Sequence, residues 1–266
     1  MNKEAFLEIL QEKGRDLYRE MPWRQDTRPY YVLVSELMLQ QTQVDRVVPK
    51  FHAFIARFPD EQTLAAASLS DVLALWNGLG YNRRARFLHE SAKKITYELG
   101  GQFPRVREEL LQLPGVGPGT AGAIAAYAFN EPVVFIETNV RTVFFHHFFT
   151  DGEKVADTEV IPYVADMLDK EHPREFYWML MDYGTWLKKN GTGRITQSSH
   201  YKKQSALKGS VREVRGLIVR LLIEQDLKYD QLKSRLPRDE RFEKALSGLV
   251  RDGLVVQSDG LLHLTK

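Results

Sequence analysis

The sequence predicts an all-α body followed by a small winged-helix-like module, on three observations. Across the first 190 residues, apolar side chains recur at spacings of three and four in segment after segment. Strand signals are nearly absent before residue 250. Beyond residue 210, three helical stretches precede two short apolar runs that flank Ser258-Asp259-Gly260, a hairpin signal.

The N-terminal stretch MNKEAFLEILQEKGRDLYRE reads as a charged amphipathic helix and so is not expected to be a signal peptide. YVLVSELML, residues 31–39, is an apolar helical run that contains one carboxylate, Glu36. Residues 68–75 form a helix with Ser68 placed to cap it. Further helices are expected over 83–99, 106–113, 120–129, 159–169 and 175–187. At Lys188 the composition shifts. KKNGTGRITQSSHYKKQSALKGS is polar and basic and reads as a linker or extended arm. Helices then follow over 211–225, 229–236 and 239–252. Three helices and a hairpin are the order of a winged helix, whose third helix commonly reads DNA, although such modules also serve as protein contacts.

Composition narrows the function classes. At 266 residues the chain suits one large domain or two smaller ones. No apolar run approaches the length of a membrane span. The chain has no cysteine, which excludes disulfides, thiol catalysis and thiolate-held iron–sulfur clusters and fits a cytoplasmic protein. A net charge of +2 is too weak, taken globally, to argue for nucleic acid. Locally, residues 188–215 hold eight Lys or Arg against Glu213 alone, and Arg83, Arg84, Arg86, Lys93 and Lys94 cluster around Glu90. Such blocks are usually solvated faces, but beside a glycine loop they point to a phosphate backbone.

That loop is LQLPGVGPGTAGAIAAYAF, with Gly115, Gly117 and Gly119 at alternate positions. It lacks the lysine of a Walker A loop, and a helix precedes it where a dinucleotide fingerprint needs a strand. What remains is helix, tight turn, helix. Pro114 stops the first helix, the glycines allow positive φ, and Thr120 is expected to cap the second. The amides at that helix start can hold a phosphate without reading sequence. The alternative is a plain turn between helices, which needs one glycine rather than three.

LPGVGPGTA resembles the helix–hairpin–helix motif of the DNA glycosylase superfamily that includes endonuclease III and the MutY-type adenine glycosylases. PWR at 22–24, RPYYVLVSELMLQQTQV at 28–44, LWNGLGYNRRARFLH at 75–89 and MDYG at 181–184 are similar to the MutY branch. The resemblance covers about residues 5–187 and implies a two-lobed helix–hairpin–helix (HhH-GPD) body over 1–190. One six-helix lobe would span about 23–134, and a second would take 1–22 with 135–190. Residues 191–209 would replace the iron–sulfur loop, and 210–266 would form the winged-helix-like domain.

The chemistry follows. Glu36 sits among apolar residues, sharing a face with Leu33, Leu37 and Gln40. Burial raises a carboxyl pKa and suits it to general acid work. The alternative is an exposed Glu on an amphipathic face. The resemblance implies that Glu36 protonates the departing base and then activates water. Glu137, in VVFIETNVRTVFF, could stabilise an oxocarbenium-like transition state, or merely cap the following helix. The family has aspartate there, one methylene shorter. Asn139 matches a family asparagine and is expected to orient the carboxylates. The two glutamates are expected to meet across a pocket for one extruded base. Gln41 and Tyr81 resemble the family's wedge residues, with Thr42 and Leu79 touching the opposite base. Tyr81 could instead be a packed loop aromatic. Gln40, Arg83, Gly115, Val116, Gly117, Gly119, Thr120 and Arg141 complete the expected DNA-contacting set.

Gly119 stands where the lyase branch has its nucleophilic lysine, so hydrolysis without strand cleavage is expected. The stretch that would hold a [4Fe–4S] cluster has no cysteine, and the resemblance includes clusterless relatives. His146 and His147 are adjacent on a helix and are not expected to bind metal. No cofactor is expected, although the resemblance leaves room for Na⁺ or K⁺ on hairpin carbonyls. The resemblance implies a larger, Nudix-like domain that checks for 8-oxoguanine, and the shorter winged-helix-like module is expected in its place. The expected function is therefore a monomeric, monofunctional glycosylase acting on adenine opposite G or 8-oxoguanine in duplex DNA. The rivals are a glycosylase for another base and a non-catalytic DNA-binding protein on the same scaffold.

Overall fold

The computed structural model describes residues 1–237 and 239–265. Helix α1 (Lys3–Asp16) starts at Asn2, whose side chain accepts the Ala5 amide at 2.9 Å. After α2 (Pro22–Gln25) and α3 (Pro29–Leu39) come α4 (Val44–Arg57), α5 (Glu61–Ala66) and α6 (Leu69–Trp76). Ser68 caps α6 as expected, accepting from the Asp71 amide. Helix α7 (Arg83–Lys93) runs into a π-helical turn, Lys94–Glu98, and α8 (Arg107–Leu110) leads to the glycine loop. Then follow α9 (Pro118–Phe129), α10 (Thr138–Phe148), α11 (Asp157–Met167) and α12 (Pro173–Lys189). The last segment holds α13 (Val211–Glu224), β1 (Leu227–Lys228), α14 (Tyr229–Ser234), α15 (Glu240–Arg251), β2 (Val255–Ser258) and β3 (Leu261–Leu264).

The chain divides into two compact units. The first comprises Met1–Val32, Arg105–Leu111 and Val116–Lys203. Its core is aromatic. Phe6, Phe144, Phe145, Phe176 and Tyr177 are all buried, with the Phe6 and Phe144 rings 5.3 Å apart. Each such side chain contributes about 1.5–3 kcal/mol of burial. Here the PWR and MDYG segments meet. Arg24 donates to both Asp182 oxygens, at 2.7 and 3.1 Å, and both side chains are buried. Arg19 adds a 2.6 Å bond to the same carboxylate. Gly184 lies against Asn139, where a Cβ would come within 2.7 Å of the Asn139 carbonyl oxygen. The glycine of MDYG therefore lets α10 and α12 approach closely.

The second unit comprises Leu33–Pro104, Gln112–Gly115 and Gln204–Lys266. Phe51, Phe54, Phe58, Val72 and Trp76 form its core, with Phe54 and Phe58 ring centroids 5.1 Å apart. The C-terminal segment is a winged-helix-like module built into this unit. Helix α13 packs on α15 and on α6. Strand β3 lies between β1 and β2, antiparallel to both, with Leu262 opposite Leu227 and Leu264 opposite Val255. Asp259 and Gly260 both have positive φ, the hairpin turn that Ser258-Asp259-Gly260 predicts.

The helical class and the module order stand, with differences in detail. The division differs from the expected lobes, since α9 groups with α1 and α12, and the module with 33–104. Helix α9 begins at Pro118, so Gly117 is its N-cap and Thr120 lies inside the helix rather than capping it. Proline's fixed φ suits the first helical position, which moves the start two residues earlier. The helix expected over 106–113 closes at Leu110. The arm is not wholly extended. Val155 and Ser198 form a β-bridge, and buried Gln197 donates to the carbonyls of Thr150 and Glu153.

Candidate nucleic-acid interface and its carboxylates

In the second unit, the end of α3 leads into a turn made by Gln40, Gln41 and Thr42. Gln41 is exposed with φ +60°. Opposite it, the loop after α6 turns tightly on Gly78 and Gly80, at φ +95° and +72°. Tyr81 follows at φ +48°, an uncommon conformation for a bulky residue. Both expected wedge residues thus sit on strained backbone, which persists only where the surroundings over-determine it.

Arg84 is the organiser that the sequence reading missed. It is 6% exposed. Its Nη1 donates to the carbonyls of Leu37, Met38 and Gln40 at 2.6–2.8 Å. Its Nη2 donates to Thr42 Oγ1 and to the carbonyls of Leu79 and Gly80. One side chain therefore ties the QQT turn to the LGLGY loop. Burial lowers its pKa to about 10, so it remains charged at neutral pH. The α3 C-terminal carbonyls, the negative end of the helix dipole, favour that charge.

Glu36 lies one turn before this knot, half-buried, between Leu33 and Leu37, which are both fully buried. Leu79 departs from expectation. It is 3% exposed, tucked in by the glycine turn, and cannot present its side chain to a base. Arg83 is largely exposed and only loosely paired with Asp252, at 3.8 Å.

The first arm of the glycine loop belongs to this unit. Gly115 has φ +77°, and a Cβ there would meet Phe87 at 2.8 Å. Its carbonyl accepts Gln40 Nε2 at 3.4 Å, the Pro114 carbonyl accepts Ser91 Oγ at 2.9 Å, and the Gln112 carbonyl accepts Lys94 Nζ at 3.1 Å. Of the three glycines only Gly115 uses positive φ, contrary to the expectation for all of them.

The first unit carries the remainder of the loop. Val116 is buried and Gly117 is exposed. The amides at the α9 start belong to Gly117, Gly119 and Thr120, because Pro118 has none. At Gly119 a Cβ would meet only the Ile136 carbonyl, at 3.8 Å.

Glu137 is half-buried and is the N-cap of α10, its Oε1 accepting the Asn139 amide at 3.1 Å. It thus does the capping work that aspartate usually does, with a longer reach. Asn139 donates to Met181 Sδ at 3.5 Å. Its Oδ1 is buried with no hydrogen-bonding partner among the described residues. Such orphan atoms are few in folded proteins, and Thr96 Oγ1, His146 Nδ1 and Gln197 Oε1 share this state among the described residues. On α12, Lys188 lies below the ordinary lysine value through desolvation, offset in part by the Glu137 charge. Part of Lys188 is exposed, so solvent limits the energetic consequence.

Arg141 does not present itself to a phosphate. Its guanidinium fork grips both Asp157 oxygens at 2.6 Å, and that hydrogen-bonded pairing holds the Asp157 carboxyl below its usual range. A committed, part-buried bidentate pair leaves little for DNA. His147 bonds the Tyr183 hydroxyl at 2.9 Å. Among the described residues, no three His, Asp or Glu side chains gather to hold a metal. No described helix is long and apolar enough to cross a membrane.

A helix–turn–helix loop with amide-bearing glycines defines a class. Residues 34–161 match the family model of the HhH-GPD superfamily of base excision DNA repair proteins. The chain is 35% identical over 268 residues to the adenine DNA glycosylase of Mycolicibacterium smegmatis, covering 92% of this chain and 91% of that protein. It belongs to the adenine DNA glycosylase family within that superfamily.

Similarity to the mouse adenine DNA glycosylase reaches 48% over 134 residues. The match takes in 26% of the mouse protein, and 48% of that from Buchnera aphidicola subsp. Baizongia pistaciae. Among solved structures, a thermostable thymine-DNA glycosylase superposes with a TM-score of 0.63 at 24% identity, covering 68% of this chain and 85% of that one. A trapped endonuclease III–DNA covalent intermediate gives 0.59 at 21%, covering 70% and 87%. At these identities the likeness shows the fold.

Proposed function

We propose that this protein is a monofunctional DNA glycosylase that hydrolyses the N-glycosidic bond of an extruded base, acting as a monomer on duplex DNA. Adenine mispaired with G or 8-oxoguanine is the leading substrate. Tyr81 and Gln41 enter the stack as the target base leaves, and Gly117, Gly119 and Thr120 hold backbone phosphate at the α9 start. Glu36 gives a proton to the base. The bond from C1′ to the base nitrogen breaks, and its electron pair leaves with the base. Glu137 lends negative charge to the oxocarbenium-like sugar. Water then attacks C1′ while the Glu36 carboxylate takes its proton. Position 119 has no amine, so no Schiff base forms there.

The observation that carries this reading is Glu36, retained half-buried between two fully buried leucines beside the strained turn. Glu36→Gln preserves shape but cannot supply the proton. Single-turnover base release should fall by about 10²–10⁴-fold, with duplex binding unchanged in a gel-shift assay. Release near the wild-type rate would remove Glu36 from this role.

A different base is the second reading. Glu137, in the position where the family resemblance implies aspartate, favours it, because a displaced carboxylate changes which sugar and base geometry is stabilised.

A further inference from the structure

The module does not look like a DNA reader. Its third helix, α15, exposes Glu240, Glu243, Lys244, Ser247 and Arg251, two acids against two bases. Lys244 pairs with Glu240, and Glu243 pairs with Lys233, both at 2.9 Å. A recognition helix facing phosphates would carry a basic surface.

The first helix of the module instead engages Tyr81. Arg212, in the opening turn of α13, donates through Nη1 to the Tyr81 hydroxyl, and Gln204 from the arm donates to the same oxygen. A phenolic oxygen has two acceptor positions, and these two donors fill both. The Arg212 guanidinium carbon lies 5.0 Å from the Tyr81 ring centroid and that of Arg84 lies 5.5 Å from it. Arg212 Nη2 donates to the Ser205 carbonyl at 3.1 Å, tying the arm into the same knot. The backbone beneath is fixed as well. The Gly80 carbonyl accepts Trp76 Nε1 at 3.2 Å and Arg84 Nη2 at 3.0 Å.

We infer that Arg212 is a positioning residue for the Tyr81 wedge, so that the C-terminal module sets the wedge side chain before DNA arrives. The inference rests on the glycosylase reading above. A side chain ordered in advance loses less entropy on insertion. The module thereby governs how readily a mispaired base is unstacked, without touching the base itself.

The test is a double-mutant cycle on single-turnover base release, with Arg212→Ala, Tyr81→Ala and the pair. Arg212→Ala should slow release about tenfold from a fully stacked duplex, as expected for one charged hydrogen bond. Arg212→Lys, which keeps a donor, should recover part of that loss. In the Tyr81→Ala background, Arg212→Ala should add less than about twofold. Additive effects, as a merely structural role would give, would overturn the inference, as would a wild-type rate for Arg212→Ala. If Arg212→Ala fails to fold by circular dichroism, Gln204→Ala takes its place in the cycle and is judged by the same criteria.

A second readout separates the two readings. A duplex with 2-aminopurine beside the mismatch should brighten when wild type binds, less with Arg212→Ala and not at all with Tyr81→Ala. If wild type releases no base, the glycosylase reading fails and this fluorescence decides alone. That graded response would uphold the positioning role, and equal brightening by all three would overturn it.

Discussion

Arg84 donates to seven acceptors around the QQT turn and the LGLGY loop. In the sequence it is one cation in RRAR, indistinguishable from its neighbours, because a linear pattern shows charge but not which guanidinium is swallowed. Its burial is set by loop closure from residues 37–42 and 79–81, which local periodicity does not encode. Arg84→Met should strand those carbonyls and destabilise the protein by about 3 kcal/mol, measured by urea unfolding. Glu36 and Glu137 stand out in the sequence for the opposite reason. Each carboxylate interrupts or follows an apolar run, and that contrast is local. The surroundings of Leu79 and Arg141 are not legible, because a motif gives position and not direction. One side chain turns inward on glycine φ angles, and the other is captured by Asp157.

At the scale of elements, the approach of α10 to α12 sets where Glu137 and Asn139 sit. The contact depends on Gly184, and its Cβ space is occupied by Asn139. Gly184→Ala should overpack it by about 1–3 kcal/mol and slow base release by shifting Asn139. A loss of stability without a change in rate would show that the helix start is not coupled to the chemistry.

Helix α10 also carries a pH signature. Burial first, and the neighbouring His146 charge second, push the His147 pKa from 6.5 down to about 4. The unfolded chain then binds more protons than the folded one between those values. Stability is therefore full above about pH 6.5 and falls as pH drops toward 4. Partial exposure limits the loss to about 1–2 kcal/mol. His147→Gln should flatten that slope in thermal melts recorded from pH 7.5 to 4.5.

For the whole molecule, the helical class was legible because each amphipathic segment carries its own period. Helices α4 and α5 were not drawn from the sequence. Pro49 lies within the first, and the second is only six residues long, too short to show a period. The division into units was less legible, since it depends on which surfaces the module covers. The module order was legible from three helices and a turn, yet its attachment to α6 and to Tyr81 was not, because both are long-range contacts. The expectation that residues 191–209 form a free linker fails at Gln197, a polar residue buried by carbonyls more than forty positions away.

Base release itself tests the central claim most directly. Wild-type protein is incubated with duplexes bearing adenine opposite 8-oxoguanine, adenine opposite G, thymine opposite G, uracil, hypoxanthine or an alkylated base, and abasic sites are then cleaved with alkali. The account predicts adenine release from the first two duplexes and strand breaks only after alkali, because position 119 carries no amine. Tight duplex binding with no base released from any member of the panel would contradict it.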